Sequence, residues 1–199
     1  IRLKLTIVAY ILASAFMPAM GTHAATYYVA TNGNNSNPGT SSSPWRTVAY
    51  AASKMVAGDT TYVRGGTYSP TAEIRFGRTG TAVAPIQLLN YPGETPIISW
   101  PGQTAIHRIR FENYSGDQAG IGYITLEGFE IANGFEGMKF YSLHDSIIRH
   151  NWIHANLNQG ILGIGGHHVL IDRNIVNHNG PFATSPTRTA GNSATGQTA

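Results

Sequence analysis

The chain has 199 residues, 23 of them Gly and none Cys, with 42% hydrophobic and only 12% charged residues. That balance argues against intrinsic disorder and suits one folded domain; abundant Gly and Asn, which serve positive-φ positions, lean toward many short strands rather than a helical bundle. A formal net charge of +3 with no basic stripe gives no reason to expect nucleic acid as a partner, and the absence of cysteine rules out a disulfide scaffold.

Residues 1–24 read as a secretory signal peptide. Arg2 and Lys4 form a short basic start, Leu5 to Met20 is mostly apolar, and Thr22-His23-Ala24 is a small-residue cleavage site. The apolar run falls short of the about 20 residues of a membrane span and contains Pro18, so an anchor is the weaker reading. The expected product is secreted, extracellular or periplasmic, with no membrane attachment after cleavage. Losing Arg2 and Lys4 would bring its charge close to neutral.

The stretch Thr31 to Ser43 is rich in Asn, Gly, Ser and Pro and reads as loop. Ser43-Pro44 then offers a helix cap with Pro at the first helical position, and Val48, Ala51, Ala52 and Met55 follow at helical spacing. Gly58-Asp59 ends the segment with a turn. "TTYVRGGTY" reads as a strand and a tight turn. Further on, Ile86, Leu88 and Ile97 are expected to point inward, and Ile106, Ile109 and Phe111 suggest another strand.

From residue 124 the chain repeats. Ser146, Ile148, Asn151, Ile153 and Asn156 precede Val169, Ile171, Asn174, Val176 and Asn179 by 23 residues. Ile124, Leu126, Phe129 and Ile131 precede their counterparts by 22, whereas Asn133, Gly137 and Met138 precede Asn156, Gly160 and Ile161 by 23, as one extra turn residue would require. Apolar residues alternate within each unit, which is strand periodicity. A period in the low twenties without a leucine-dense pattern points to an all-β solenoid, a right-handed parallel β-helix with coils of 22–23 residues. Asn151 and Asn174 stand where such a chain turns, able to bond backbone groups and one another.

In "RHNWIHAN", His150 and His154 stand four apart, the spacing of a helical zinc grip. On a β-coil they are not one helical turn apart, and their stacked successors are Arg173 and Asn177, so they read as surface residues flanking an Asn turn. His144, in "SLHD", and His167 and His168, in "GGHH", read as loop or groove residues that a transition metal would find reachable. Glu127, Arg149 and Asp172 stack on an outward face as an acid–base–acid ladder, either fixing register or lining a sugar groove.

The string "NGNNSNPGTSSSPWRTVAYAASKMVAGDTTYVRGGTY", followed by "APIQLLNYPGETPII", resembles the amino-terminal cap and first coils of secreted right-handed parallel β-helix proteins related to pectate lyases and similar polysaccharide lyases. The resemblance covers about residues 26–180 and implies an N-terminal capping helix. It also implies a polysaccharide lyase acting on acidic, uronic acid polysaccharide by β-elimination, with calcium neutralising the carboxylate and a Lys or Arg taking the proton. The alternatives on the same fold are a non-catalytic carbohydrate-binding or surface-adhesion protein, or a glycosidase or epimerase.

The sequence holds four Asp, Asp59, Asp117, Asp145 and Asp172, no two of them adjacent, and lacks the Asp-rich calcium motif of such lyases. No metal ligand or cofactor-binding residue is therefore assigned, calcium being expected only of a full-length lyase. The catalytic residue is left open, with Lys139 and Arg149 as candidates, each also readable as a surface residue. Arg75 is no stronger. Trp100, Trp152, Tyr141 and Tyr123 are candidates for stacking on sugar rings. After Gly180 the pattern ends in a Ser/Thr/Ala/Gly-rich stretch. The expectation is an incomplete β-helix domain over 25–180, lacking the catalytic coils, with a disordered or altered tail over 181–199, acting as a monomer on an acidic polysaccharide.

Overall fold

The computed structural model describes residues 24–102, 108–112 and 120–180. The tail expected over 181–199 and, but for Ala24, the signal peptide expected over 1–24 lie outside these residues. The chain opens with β1 (Thr26–Val29), helix α1 (Val48–Lys54), β2 (Thr60–Val63), β3 (Gly66–Tyr68) and β4 (Ile74–Phe76). There follow β5 (Ile86–Asn90), β6 (Pro96–Ser99), β7 (Ile109–Phe111), β8 (Ile124–Glu127), β9 (Glu130–Ala132) and β10 (Met138–Tyr141). The last are β11 (His144–Arg149), β12 (Trp152–His154), β13 (Ile161–Ile164), β14 (His167–Asp172) and β15 (Ile175–Asn177).

These strands form three sheets, ordered β1-β2-β5-β8-β11-β14, β13-β10-β7-β4 and β15-β12-β9-β6-β3. Every pairing between them is parallel. Each complete turn of chain from β2 to β13 thus adds one strand to each sheet, which is a parallel β-helix, and β14 and β15 begin the next turn. The register follows the repeat: Leu126 pairs with Ile148 and Ile148 with Ile171, while Ile131 pairs with Ile153 and Ile153 with Val176. Leu126, Ile131, Ile148 and Ile153 are buried in one continuous core.

The bends between strands use left-handed backbone in columns. Gly120, Ser142 and Gly165 form one; Tyr123, Asp145 and His168 a second; Gly128, His150 and Arg173 a third; Asn133, Ala155 and His178 a fourth. A non-glycine residue there costs roughly 1–2 kcal/mol, so the coil must offset it elsewhere. Two asparagine ladders contribute. The Asn151 carboxamide oxygen accepts from Phe129 N–H at 3.0 Å, its amide donates to Leu126 C=O at 3.2 Å, and Asn174 repeats the pattern one coil later, accepting from Asn151 N–H at 3.0 Å. Asn156 accepts from Gly134 N–H at 2.9 Å, and Asn179 accepts from Asn156 N–H at 3.1 Å. Asn133 therefore stands opposite Ala155, not Asn156; the extra residue enters later, within 157–159, before Met138 pairs with Ile161.

Helix α1 covers the first coil, burying Val48, Ala51, Ala52 and, just past its end, Met55. Its cap is Thr47, whose hydroxyl accepts from Tyr50 N–H at 3.2 Å, and not Ser43 as the sequence suggests. The reason lies in Trp45. Its backbone pairs with β1, with Trp45 N–H donating to Tyr28 C=O at 2.9 Å, and its ring stacks on Tyr27 at 4.4 Å. That pairing holds the chain extended past Pro44. Asp59 closes the segment from a buried position, accepting from Ala25 N–H and Val56 N–H.

In β6 it is Ile98 that points inward, paired with Ile131, while Ile97 points outward beside Thr67 and Glu130. The alternation runs Pro96, Ile98, so the expectation for Ile97 was one residue out of phase. β7 confirms Ile109 and Phe111; Ile106 lies outside the described residues. In the last described coil Ile171 is 49% exposed where Ile148, one coil earlier, is 1% exposed.

The ladders make a prediction. Asn151→Ala leaves the buried Phe129 N–H without its acceptor and lowers unfolding free energy by about 1–3 kcal/mol, measured by urea denaturation, whereas Arg173→Ala on the surface changes it by no more than about 0.5 kcal/mol.

Candidate functional site

Strands β4, β7 and β10 bury Ile74 and Phe76, Ile109 and Phe111, and Met138 and Phe140. The residue between each pair must face out. Those residues are Arg75, Arg110 and Lys139, and they lie in register on three successive strands of the four-stranded sheet. Around them Arg75 lies 3.7 Å from Glu73 and 3.6 Å from Glu112, and Arg110 lies 3.5 Å from Glu73 and also contacts Glu112. Arg108, nearly buried, bridges Glu73 at 2.8 Å and Glu136. Three arginines thus meet three carboxylates, and Lys139 adds a fourth cation. The unmatched charge is Lys139: among the described residues it has no carboxylate within ion-pair reach, and its Nζ sits 5.0 Å from the Tyr141 ring. Arg110 also lies over that ring, at 5.6 Å, and its buried Nε finds no partner. Such a row can receive an anion without first breaking an ion pair at Lys139.

Arg149, the other candidate, lies on the six-stranded sheet. It is tied to Glu127, Nε donating at 2.9 Å, with Glu127, Arg149 and Asp172 stacked in register as expected. His150 also reaches Glu127, at 3.0 Å, whereas His154 reaches Glu130 at 3.1 Å. The two imidazoles thus serve different carboxylates on either side of a bend, and their spacing makes no metal grip. A shallow groove runs here, lined by Asn90, Thr95, Glu127, Glu130, His150 and Trp152. Trp152 is exposed and stacks on His154 at 3.9 Å, while Trp100 is wholly buried in the core and open to no sugar. Tyr141 is the half-buried neighbour of Lys139.

A third cluster lies where the sequence suggests loop. His144 and His167 instead open β11 and β14 as cross-strand partners, their rings stacked at 5.3 Å, with the Tyr123 ring edge-on to His144. Asp145 lies 2.9 Å from His144 Nδ1 and 3.2 Å from His168 Nδ1. Hydrogen bonding from His144, reinforced by His168, holds the Asp145 carboxyl below its ordinary range although partial desolvation opposes this. The signal available in the sequence was the 23-residue offset between "HD" and "HH".

Calcium asks for six to eight oxygen ligands, and the described coils do not fit it. Each described carboxylate is already engaged: Glu73, Glu112 and Glu136 with arginines, Glu94 with Arg64, Glu127, Glu130 and Asp145 as above, Asp172 with Arg173, and Asp59 with backbone. Asp117 lies outside the described residues.

For Glu127, burial works to raise the carboxyl pKa, but the hydrogen bonds from Arg149 and His150 and their charges outweigh it and hold it below the usual value. A depressed carboxyl contributes stability above its unfolded pKa and loses it as pH falls through the folded value. Glu127→Gln therefore shows a shallower loss of urea stability than the parent chain when pH is lowered from about 6 to about 3.

Comparison with known proteins matches this architecture. Over 85 residues the chain is 41% identical to "Pectate lyase PEL9" of Emericella nidulans, a match covering 43% of this chain and 20% of that protein. Over 72 residues it is 42% identical to the uncharacterized protein YwoF of Bacillus subtilis, covering 36% of this chain and 15% of the other. The chain therefore spans about a fifth or less of the curated relatives it matches. Among solved structures, pectate lyase Pel9A superposes with a TM-score of 0.55 at 22% identity, over 69% of this chain and 35% of that one. The GH136 lacto-N-biosidase of Eubacterium ramulus gives 0.53 at 16% identity, over 75% of this chain and 36% of its own. At such identities the likeness is one of fold. The family model describing the Pel9A-like right-handed beta helix region matches residues 27–199, and with its parallel three-sheet coils the chain belongs to that family.

Proposed function

We propose that these coils belong to a secreted, polysaccharide lyase-like protein and bind an acidic, uronate-containing polysaccharide along the outward row Arg75, Arg110 and Lys139. The observation that carries this reading is the row itself: three cations on successive strands, about 4.8 Å apart, with Lys139 free of any carboxylate among the described residues. The curated relative named as a pectate lyase supports an acidic polymer as the ligand. Uronate carboxylates accept charge-assisted hydrogen bonds from ammonium and guanidinium groups, and the Tyr141 ring offers an apolar face beside them.

The same donor set supports binding rather than elimination as the work of these coils. β-Elimination needs the substrate carboxylate neutralised and a base at the adjacent C–H. Among the described residues the side-chain donors that converge are two imidazoles and one carboxylate, far from the six to eight oxygens calcium takes, so a calcium requirement would have to be met by oxygen ligands outside the described residues. Lys139 would then orient substrate rather than accept its proton, and Arg149, held by Glu127, would fix register. Export rests on the residues 1–24 pattern; no helix among the described residues is long and apolar enough to cross a membrane.

Affinity electrophoresis through polygalacturonate and through a neutral galactan tests this. The chain is retarded by the acidic polymer alone, less so at high salt, and Lys139→Glu with Arg110→Ala weakens retention at least about tenfold. Equal retardation in both gels, or retention indifferent to those substitutions, contradicts the reading. Ultraviolet absorbance from unsaturated uronate ends, appearing with this chain alone, overturns the assignment of binding without elimination.

A further inference from the structure

The cluster at the start of β11 and β14 is independent of the cationic row and lies on a different sheet. Its donors converge. One ligand atom each from His144, Asp145 and His167 lies within 4.8 Å of the others. The convergence has structural causes. His144 and His167 are cross-strand partners, so their rings stack at 5.3 Å with planes only 12° apart. Below them the same column holds Gly122, where a Cβ would collide with the His144 ring, so the imidazole lies down over bare backbone. Asp145 follows with φ of 45°, a left-handed bend that turns its carboxylate back toward the imidazoles instead of out along the strand. His168, at φ 51° in the next coil, holds the other carboxylate oxygen at 3.2 Å.

We propose that His144, His167 and Asp145 form a surface site for a divalent transition-metal ion of the zinc type, with His168 orienting the Asp145 carboxylate from outside. Two imidazoles and a carboxylate are the donor set of zinc, cobalt, nickel and copper, whereas calcium seeks many oxygens. Metal bonds of about 2.0–2.2 Å require the donors to draw closer than they stand. His167 is exposed, so its ring is free to turn toward the other two donors, and the strand register already places its backbone beside His144. The contact of His168 Nδ1 with Asp145 Oδ1 is the kind of outer hydrogen bond such sites use. An ion here joins two successive coils, so binding it stabilises the stack by mass action. The competing account is a purely structural His–Asp cluster with no ion.

The test uses the full, tag-free chain stripped with chelator, titrated with Co(II) and then Zn(II). Cobalt gives a visible ligand-field band with one equivalent, which zinc displaces, and zinc raises the urea midpoint while calcium leaves it unchanged. His144→Ala and the exposed His167→Gln each weaken zinc binding at least tenfold, with the second keeping the fold intact should the first disturb it. His178→Ala and His154→Ala bind as the parent does. A chain that shows no cobalt band and no zinc-dependent midpoint overturns the site. So does zinc binding that survives His144→Ala together with His167→Gln, or that is lost only with His154→Ala.

Discussion

Parallel stacking of one coil upon another is the constraint on which the whole molecule depends. A parallel strand pair cannot be closed by a short hairpin, so the chain must turn three times and return a full coil later to find its partner. The turns are made by left-handed residues that recur at the coil period, and several are not glycine. Asn151, Asn156, Asn174 and Asn179 recover much of that cost by satisfying the N–H and C=O groups that a bend strips from the ladder. Once that spacing is set, every outward position becomes a column of neighbours.

The columns then divide by sheet. On the four-stranded sheet, Arg75, Arg110 and Lys139 face outward beside flanking glutamates, and among the described residues Lys139 is the one without a carboxylate. On the six-stranded sheet the Glu127, Arg149 and Asp172 column sets two carboxylates against one guanidinium, with Arg149 held by Glu127 and Asp172 beside Arg173. At the edge of the same sheet the histidines of two coils meet one aspartate. Burial tells the same story from inside: alternate residues of each strand enter a single core, so chemistry is confined to the outer half of each strand and to the bends.

Much of this was legible in the sequence, because the coil period is written in residues that act identically in each turn. Ile148 and Ile171, or Asn151 and Asn174, are paired as their 23-residue offset requires. The capping helix was legible from its apolar spacing. What escaped had local causes. Thr47 took the cap because Trp45 was claimed by β1. Ile97 and Ile98 are both isoleucine, so composition could not say which faced inward. The histidine cluster escaped because "SLHD" and "GGHH" look like loop, and only the strand register brings His144 over Gly122 and under His167. Lys139 was visible as the single lysine of the repeating coils, but its alignment with Arg75 and Arg110 depends on unequal insertions between the early coils that no fixed period reveals.

The stacking itself is open to a direct covalent test, since the chain has no cysteine of its own. Ile147 and Leu170 are cross-strand partners on the outward side of their strands, whereas Ile171 pairs with the buried Ile148 on the other side. Parallel partners about 4.8 Å apart fall within the Cα separation a disulfide accepts, roughly 4.4–6.8 Å. Ile147→Cys with Leu170→Cys, oxidised in the folded chain and read by mass spectrometry, should therefore cross-link essentially fully, and Ile147→Cys with Ile171→Cys should not. Cross-linking of the second pair in place of the first would show a shifted register, and the columns described above would not exist.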